Sequence, residues 1–466
     1  MIKPNFLVAM VLSFAVLFGW DAFVMGPRRH AAERAVVERI EPKTEVAPAV
    51  VSSTVRAEAA EKFAEVSLGQ NRLSFAFRGA AIKQWWIRET AEGGPEVPLL
   101  PEGISTGLPF STFPDLDFKM RQNPPSEVVF EASRSDGLRV RKTYRIDPNG
   151  RIHRVILALE NKGKAPLEVS TLMGWGPSVG SADGKAKNDG NEQRALALEV
   201  SPSLKKPRLL NFKNSVRQES SFQWWGLDGH YFLAAFLNDS GEPLTLNVQK
   251  VDKHHFVIQK EVRVSLPPGQ SFTEDLRLYV GPKRTAELAA LGLERAVDFG
   301  FFASLGKLIH RALFFFQKIT GNYGWAIILL TCVIQVLMLP LTIKGFHYSQ
   351  KMKALQPQMT RLKTLYGTDP KRMNAEMLNL YQKHGLRFMG MEGCFPMLLQ
   401  MPIFFSLYTA LRNTYELRHA PWIGWIRNLS AQDPYFVLPV LMGAGMLAQQ
   451  KMTMNIADPT HWKELS

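Results

Sequence analysis

The chain has 466 residues, with 56 lysines and arginines against 42 aspartates and glutamates, a formal charge of +14. That length allows two or three domains, and the charge suits nucleic acid or an anionic membrane surface. No helix-turn-helix, zinc-knuckle or aromatic RNA-binding motif accompanies the charge, so no direct nucleic-acid partner is expected, and the two cysteines, Cys332 and Cys394, exclude a disulfide framework or a zinc site of their own.

Residues 5–25, NFLVAMVLSFAVLFGWDAFVM, form the first apolar segment. The run is longer than a usual signal core and no A-x-A site follows closely, which predicts an uncleaved transmembrane anchor. Residues 26–60 are rich in Ala, Val, Glu and Pro without a sustained period and read as a linker. From 61 to 283 short β-prone runs recur: RLSFAFRG, AIKQWWIRE, EVVFEASR, LRVRKTYRI, RIHRVILALEN, YFLAAFLN, LTLNVQK, HHFVIQK and EDLRLYV. Turn signals such as Asp147-Pro148-Asn149-Gly150 and Pro267-Pro268-Gly269 separate them. The pattern predicts an antiparallel β-sandwich, large enough to bury a core without disulfides. Within it His230, His254 and His255 sit in no metal-binding or nucleophile motif and read as structural or solvated. Nothing calls for a cofactor, and the chain is not expected to be an enzyme. Trp224 and Trp225 read as core or interface aromatics, and residues 181–193 as a polar loop.

Residues 284–320 take up a helical period, with Phe301, Phe302, Leu305, Leu308, Ile309, Leu313 and Phe316 at threes and fours. This amphipathic helix lies in the membrane interface or packs on the sandwich; the interface is favoured because a spanning segment follows. Residues 321–344, GNYGWAIILLTCVIQVLMLPLTIK, hold about 20 apolar residues, enough for a ~30 Å hydrocarbon core. Thr331, Gln335 and Thr342 fall within about 40° of one another on one face of this helix. Such a stripe makes an interhelical hydrogen bond or a wetted surface facing a substrate. Residues 345–392 predict a helical hairpin, 346–366 and 370–384, turning at Gly367-Thr368-Asp369-Pro370. Lys351, Lys353, Arg361, Lys363, Lys371 and Arg372 dominate it, opposed only by Asp369, Glu376 and Glu392, so the positive-inside rule makes it cytoplasmic. Its basic face is either solvated or meets anionic lipid or an acidic partner. Two more spans follow, 393–412 with Gln400 and 434–452, joined by an external loop, 413–433, and ending in a tail, 453–466. A cytoplasmic hairpin puts the sandwich outside and the N-terminus inside, against the local signal of Arg28 and Arg29.

Several motifs carry a resemblance: Val297-Asp298-Phe299-Gly300, Gly321-Asn322-Tyr323-Gly324, Met338-Leu339-Pro340-Leu341-Thr342, Lys353-Ala354-Leu355-Gln356-Pro357, Gln400-Met401-Pro402-Ile403-Phe404 and Leu429-Ser430-Ala431-Gln432-Asp433-Pro434-Tyr435. With the order anchor, β-domain, interfacial helix, span, basic hairpin, span, span, the chain resembles the YidC membrane protein insertases of Gram-negative bacteria. The resemblance implies an inner-membrane protein with a periplasmic β-sandwich and a transmembrane helical bundle. It implies an insertase and chaperone that works without nucleotide hydrolysis, alone or with the Sec translocon, on nascent inner-membrane proteins. A hydrophilic groove would hydrate the substrate's polar tail part-way through the bilayer; Gln335, Thr331, Thr342 and Gln400 are its expected lining. The hairpin would receive substrate from the ribosome or the signal-recognition pathway through Lys351, Lys353, Arg361, Lys363, Lys371 and Arg372.

The sequence departs from the family pattern in three places. Where the groove usually carries an arginine this chain has Gln335, so attraction of acidic tails does not carry over with the resemblance. The lead into the third span reads Arg387-Phe388-Met389-Gly390-Met391-Glu392-Gly393-Cys394 in place of Asn-Pro-x-Gly-Gly-Cys. The family has two further spans after the fourth; the expectation is a truncated product or a groove completed by another chain. The alternative function is a truncated, inactive or regulatory membrane-anchored binding protein.

Overall fold

The computed structural model describes residues 63–88, 96–100, 107–123, 126–180, 193–201, 204–367, 369–384 and 391–455. The expected anchor at 5–25, the linker at 26–60, nearly all of the polar loop at 181–193, the segment 385–390 and the tail beyond 455 lie outside those residues.

Strands β1 (Phe63–Leu68), β2 (Asn71–Ala76), β3 (Ala81–Arg88) and β4 (Glu96–Pro98) form one antiparallel sheet in sequence order. A longer path begins as a meander of β5 (Lys119–Asn123), β6 (Glu127–Ser133), β7 (Leu138–Arg145) and β8 (Ile152–Asn161). It is completed by β9 (Leu167–Trp175), β10 (Arg194–Glu199), β11 (Arg208–Phe212), β12 (Val216–Asp228), β13 (Phe232–Leu237), β14 (Pro243–Lys250), β15 (Phe256–Leu266) and β16 (Ser271–Pro282). Its order is β5-β6-β7-β8-β16-β13-β12-β14-β15-β9, with β10 and β11 paired beside β12. The long strand β12 makes two layers of this path. Its residues 222–228 pair with β10 and β13, while residues 216–221 pair with β14.

The strands form where side chains alternate between a dry and a wet face. On β8, Val155, Leu157 and Leu159 point into the core. The core is aromatic: Trp85 packs on Trp175 with ring centroids 5.7 Å apart, and Phe110 on Phe236 at the same distance. Each of the nine β-prone runs read from the sequence coincides with a strand. β10, RALALE, was not among them. Its residues favour helix, but pairing on both edges by β11 and β12 outweighs that preference.

Neighbouring Trp224 and Trp225 point to opposite faces of β12. Trp225 stacks on Phe236 in the main core at 4.0 Å. Trp224 joins Leu196, Leu198, Leu233 and Tyr279 in a second core on the far side of the sheet. Helix α1 (Thr285–Ala290) and a 3-10 turn at Glu294–Ala296 cover that core with Leu288, Leu293 and Ala296. Gly226 is required beside them, because a Cβ there would stand 2.0 Å from the Ala234 carbonyl oxygen.

The segment 284–320 therefore divides. Its first third belongs to the sandwich, and its last part is α2 (Ala303–Thr320), which belongs with the helices. These are α3 (Tyr323–Tyr366), α4 (Pro370–Lys383), α5 (Met391–Arg412) and α6 (Val437–Asn455). Ile309 and Leu313 of α2, Ala326 and Leu330 of α3, and Ala410 of α5 make a core shared by α2, α3 and α5. The expected break between a span ending at 344 and a hairpin arm beginning near 346 is absent: α3 runs unbroken for 44 residues, with Pro340 and Pro357 inside it. Among the described residues one helix, Tyr323–Met352, has the length and composition to cross a membrane.

The sandwich buries His153 against Trp85, with ring centroids 4.9 Å apart, and His153 Nδ1 accepts the Asp147 N–H at 3.2 Å. Burial pushes the imidazole down to about 3, whereas an unfolded histidine titrates near 6.5. Between those values the unfolded chain binds the extra proton, so stability falls as pH falls, by about 1.4 kcal/mol per unit at most. Thermal unfolding of the detergent-solubilised chain, followed by near-UV circular dichroism, should show a midpoint that drops steeply below pH 6. In His153→Gln the slope should be shallower.

Candidate functional site

The apolar part of α3, long enough to cross a membrane, starts from a defined cap. Gly321 ends α2 in the left-handed region, at φ 67°, and the Asn322 side chain caps α3 by accepting the N–H groups of Gly324 and Trp325. Asn322 Nδ2 also donates to the Pro421 carbonyl at 2.9 Å. At Gly324 a Cβ would stand 2.2 Å from the Trp422 ring, so only glycine lets the loop after α5 seat against the helix. Each residue of Gly321-Asn322-Tyr323-Gly324 except Tyr323 thus has a specific mechanical reason.

Trp325 marks one end of the span, half exposed and edge-on to Trp422 at 5.8 Å. Lys344 marks the other. The helical rise between them is about 29 Å, one hydrocarbon thickness. Gln335 therefore lies about 15 Å from either end. Ala326, Leu330 and Ile334 face α2 and α5, and the polar stripe is centred about 120° round the helix from them. Gln335 and Thr342 are exposed and Thr331 is half-buried. The threonine hydroxyls donate back to their own helix, Thr331 to the Ile328 carbonyl at 2.8 Å and Thr342 to the Met338 carbonyl at 3.0 Å. Gln400 on α5 is exposed too, in line with Leu407 and Leu411 at helical spacing. The structure thus puts three of the four expected lining residues on one open face of α3. It makes no hydrogen bond between them and Gln400.

The hairpin arms meet through the buried Leu355 and a contact from the Tyr381 hydroxyl to Met359 Sδ at 3.7 Å. Asp369 caps α4, accepting the N–H groups of Lys371 and Arg372, and Pro370 fills the first turn. Lys351, Arg361, Lys363, Lys371 and Arg372 are exposed; the side chain of Lys353 lies outside the description. On α2 the outward stripe alternates Leu308, Phe315 and Ile319 with Lys307, Arg311 and Lys318, while Ile309 and Leu313 pack inward.

Sequence reasoning missed the joint between the sandwich and the helices. Asp228, 2 % exposed, pairs with Arg194 and with Lys283 at 3.0 Å. Burial lowers the Lys283 ammonium and the Asp228 carboxylate draws it back up. Arg194 reaches on to Asp298, whose carbonyl accepts from Asn413 Nδ2 just past α5. His230 Nε2 lies 2.8 Å from the Arg412 carbonyl oxygen, Glu416 accepts the Thr285 N–H at 2.8 Å, and Tyr415 is buried in the sandwich core. The partners lie 104 residues apart for Arg194–Asp298 and 182 for His230–Arg412. Only Asp298, within a recognisable motif, offered a signal. Asp298→Ala removes a half-exposed ion pair worth about 1 kcal/mol. Trypsin cleavage at Arg295 of the detergent-solubilised chain should accelerate about fivefold, with the melting of the sandwich unchanged.

Comparison with known proteins follows this layout. The model of the 60Kd inner membrane protein family matches residues 315–465, and that of the YidC periplasmic domain matches residues 110–312. The membrane protein insertase YidC of Endomicrobium trichonymphae is 36% identical over 419 residues, covering 87% of this chain and 78% of that protein. The one from Geotalea uraniireducens is 32% identical over 495 residues, covering 99% and 92%. Among solved structures, an active YidC insertase aligns with 81% of this chain and 78% of its own at a TM-score of 0.31 and 17% identity. A putative aldose 1-epimerase from Escherichia coli aligns with 48% of this chain and 100% of its own at 0.32 and 11%. The chain belongs to the YidC family of membrane protein insertases, inner-membrane proteins with a periplasmic domain.

Proposed function

We propose that this insertase hydrates its substrates along the exposed stripe of α3, with Gln335 as the central group and Thr331, Thr342 and Gln400 beside it. The observation that carries the reading is an exposed amide at mid-depth of an apolar span. Facing lipid, that amide would forfeit its hydrogen bonds. Facing a water-filled groove, it keeps them and lends them to a passing polar segment. The substrate's apolar helix then partitions into lipid without covalent chemistry, cofactor or nucleotide hydrolysis.

In this reading the chain crosses the inner membrane several times. The exposed basic and apolar stripe of α2 lies in the outer interface, and the basic end of α3 with α4 projects into the cytoplasm. The 44-residue α3 spans about 66 Å, so roughly half of it extends past the hydrocarbon. That continuity makes the hairpin a rigid extension of the groove wall, where anionic lipid, the ribosome or the signal-recognition pathway would deliver nascent chains. The Sec translocon is the partner for larger substrates. Chaperone activity follows from the same wet surface, which shields polar segments of partly folded helices.

A photo-crosslinker at Gln335 should capture a nascent single-span substrate, whereas one at Val336, about 100° further round the helix, should capture lipid. Equal capture at both positions, or none at either, contradicts the reading. Gln335→Leu should lower insertion into proteoliposomes about fivefold, the equivalent of the ~1 kcal/mol that an intramembrane amide contact contributes, as measured by protease protection of the substrate.

A further inference from the structure

The β-domain carries a cleft that the insertion reading does not use. It measures about 540 Å³ and is lined by Gln70, Arg151, Tyr279, Arg284, Glu287 and Ala290 among others, a size that takes a small ligand. Arg151 forms its floor and is 8% exposed. Its Nη2 donates to Gln70 Oε1 and to the Arg88 carbonyl, both at 2.9 Å, and both acceptors are neutral. Its Nη1 has no hydrogen-bond partner, and no carboxylate among the described residues pairs with it. Glu287, the carboxylate in the lining, is already held by Arg284 Nη1 at 3.2 Å and by the Tyr279 hydroxyl at 3.1 Å.

A buried guanidinium without a counter-ion is costly. Lys142 is also buried without a carboxylate, but its three donors are taken by the Gly79, Ala80 and Phe110 carbonyls, whereas Arg151 keeps an unbonded Nη1. Arg194 and Lys283, the comparable cations a few strands away, both share Asp228. Arg151 is also held in place: its stem lies against Gly281, where a Cβ would stand 3.1 Å from Arg151 Cδ. Two guanidinium groups, Arg151 and Arg284, and one carboxylate, Glu287, lie in the lining. A phosphate offers acceptor oxygens in the fork geometry a guanidinium favours.

We propose that this cleft is a binding site for a phosphate group, with Arg151 as the floor and Arg284 as the wall. The phosphate comes either from the diester headgroup of an anionic lipid or from a small free phosphate. The wall is shared with the joint to the helices: Arg284 lies 5.9 Å over the Tyr415 ring, and the next residue, Thr285, donates its N–H to Glu416. Occupancy therefore acts on the loop that leaves α5.

The test uses the full chain in detergent and isothermal titration with inorganic phosphate, glycerophosphoglycerol and glycerophosphocholine. Saturable binding of inorganic phosphate alone assigns a free phosphate, and binding of glycerophosphoglycerol assigns a lipid headgroup. Arg151→Gln should weaken that binding about tenfold or more, the loss of a charge-assisted contact. Ala290→Trp, an exposed position on the cleft lining, should do the same by filling the space and decides the matter if Arg151→Gln fails to fold. The proposal is overturned if neither anionic probe binds saturably, if Ala290→Trp binds as the unmodified chain does, or if the zwitterionic probe binds as well as the anionic ones.

Discussion

Hydrocarbon offers an amide nothing to bond to, and Gln335 sits near the middle of the apolar stretch of α3 between Trp325 and Lys344, which is about one hydrocarbon thickness long. The rest of the helical region is arranged around that constraint. Ala326, Leu330 and Ile334 lock α3 against α2 and α5, which fixes its rotation and leaves the stripe of Thr331, Gln335 and Thr342 on an open face. A freely rotating helix could turn its amide toward a neighbour; this one cannot without breaking its core. Because α3 continues without a break into the basic arm, the same packing also sets the direction in which that arm projects.

The sandwich is fastened to this framework rather than tethered to it. Tyr415 is buried in the sandwich core, and the Arg194–Asp298 pair, the Asn413 bond and the His230 contact surround it. The buried Asp228 with its two cations anchors the domain side of the joint. Removing one member would strand the others in a dry site, which makes such a network specific as well as costly to disturb. The joint fixes where α5 emerges, and α5 is one of the two helices that hold α3. The cleft beneath Arg284 borders the same joint, so a domain outside the membrane has a physical route to the helix that carries Gln335.

Much of this was legible in the sequence, for identifiable reasons. The nine strands read from the sequence are β-prone runs bounded by turn signals; some alternate, such as Arg154 to Glu160, and others, such as Phe232–Leu237, are apolar and buried nearly throughout. β10 was illegible because Ala, Leu, Arg and Glu become a strand only when β11 and β12 flank them. No cap was read at Asn322 or Asp369, but the turn at Gly367-Thr368-Asp369-Pro370 was legible because turn chemistry is local. The unbroken passage of α3 through Lys344 was not, since the change from apolar to basic residues marks a change of solvent and not of backbone. At the candidate site, helical periodicity gave the shared face of Thr331, Gln335 and Thr342. It could not give the exposure of that face, which depends on which side α2 and α5 occupy. The joint and the Arg151 cleft depend on pairs brought together by the sheet order, and no local pattern announces them.

The central claim is that water reaches Gln335. Gln335→Cys, in a chain with Cys332→Ser and Cys394→Ser, can be treated in inverted membrane vesicles with a membrane-impermeant maleimide, beside Val336→Cys and Lys363→Cys. A wet groove predicts labelling at 335 at a rate approaching that at 363, with 336 protected. Protection of 335 to the same degree as 336 would contradict the account.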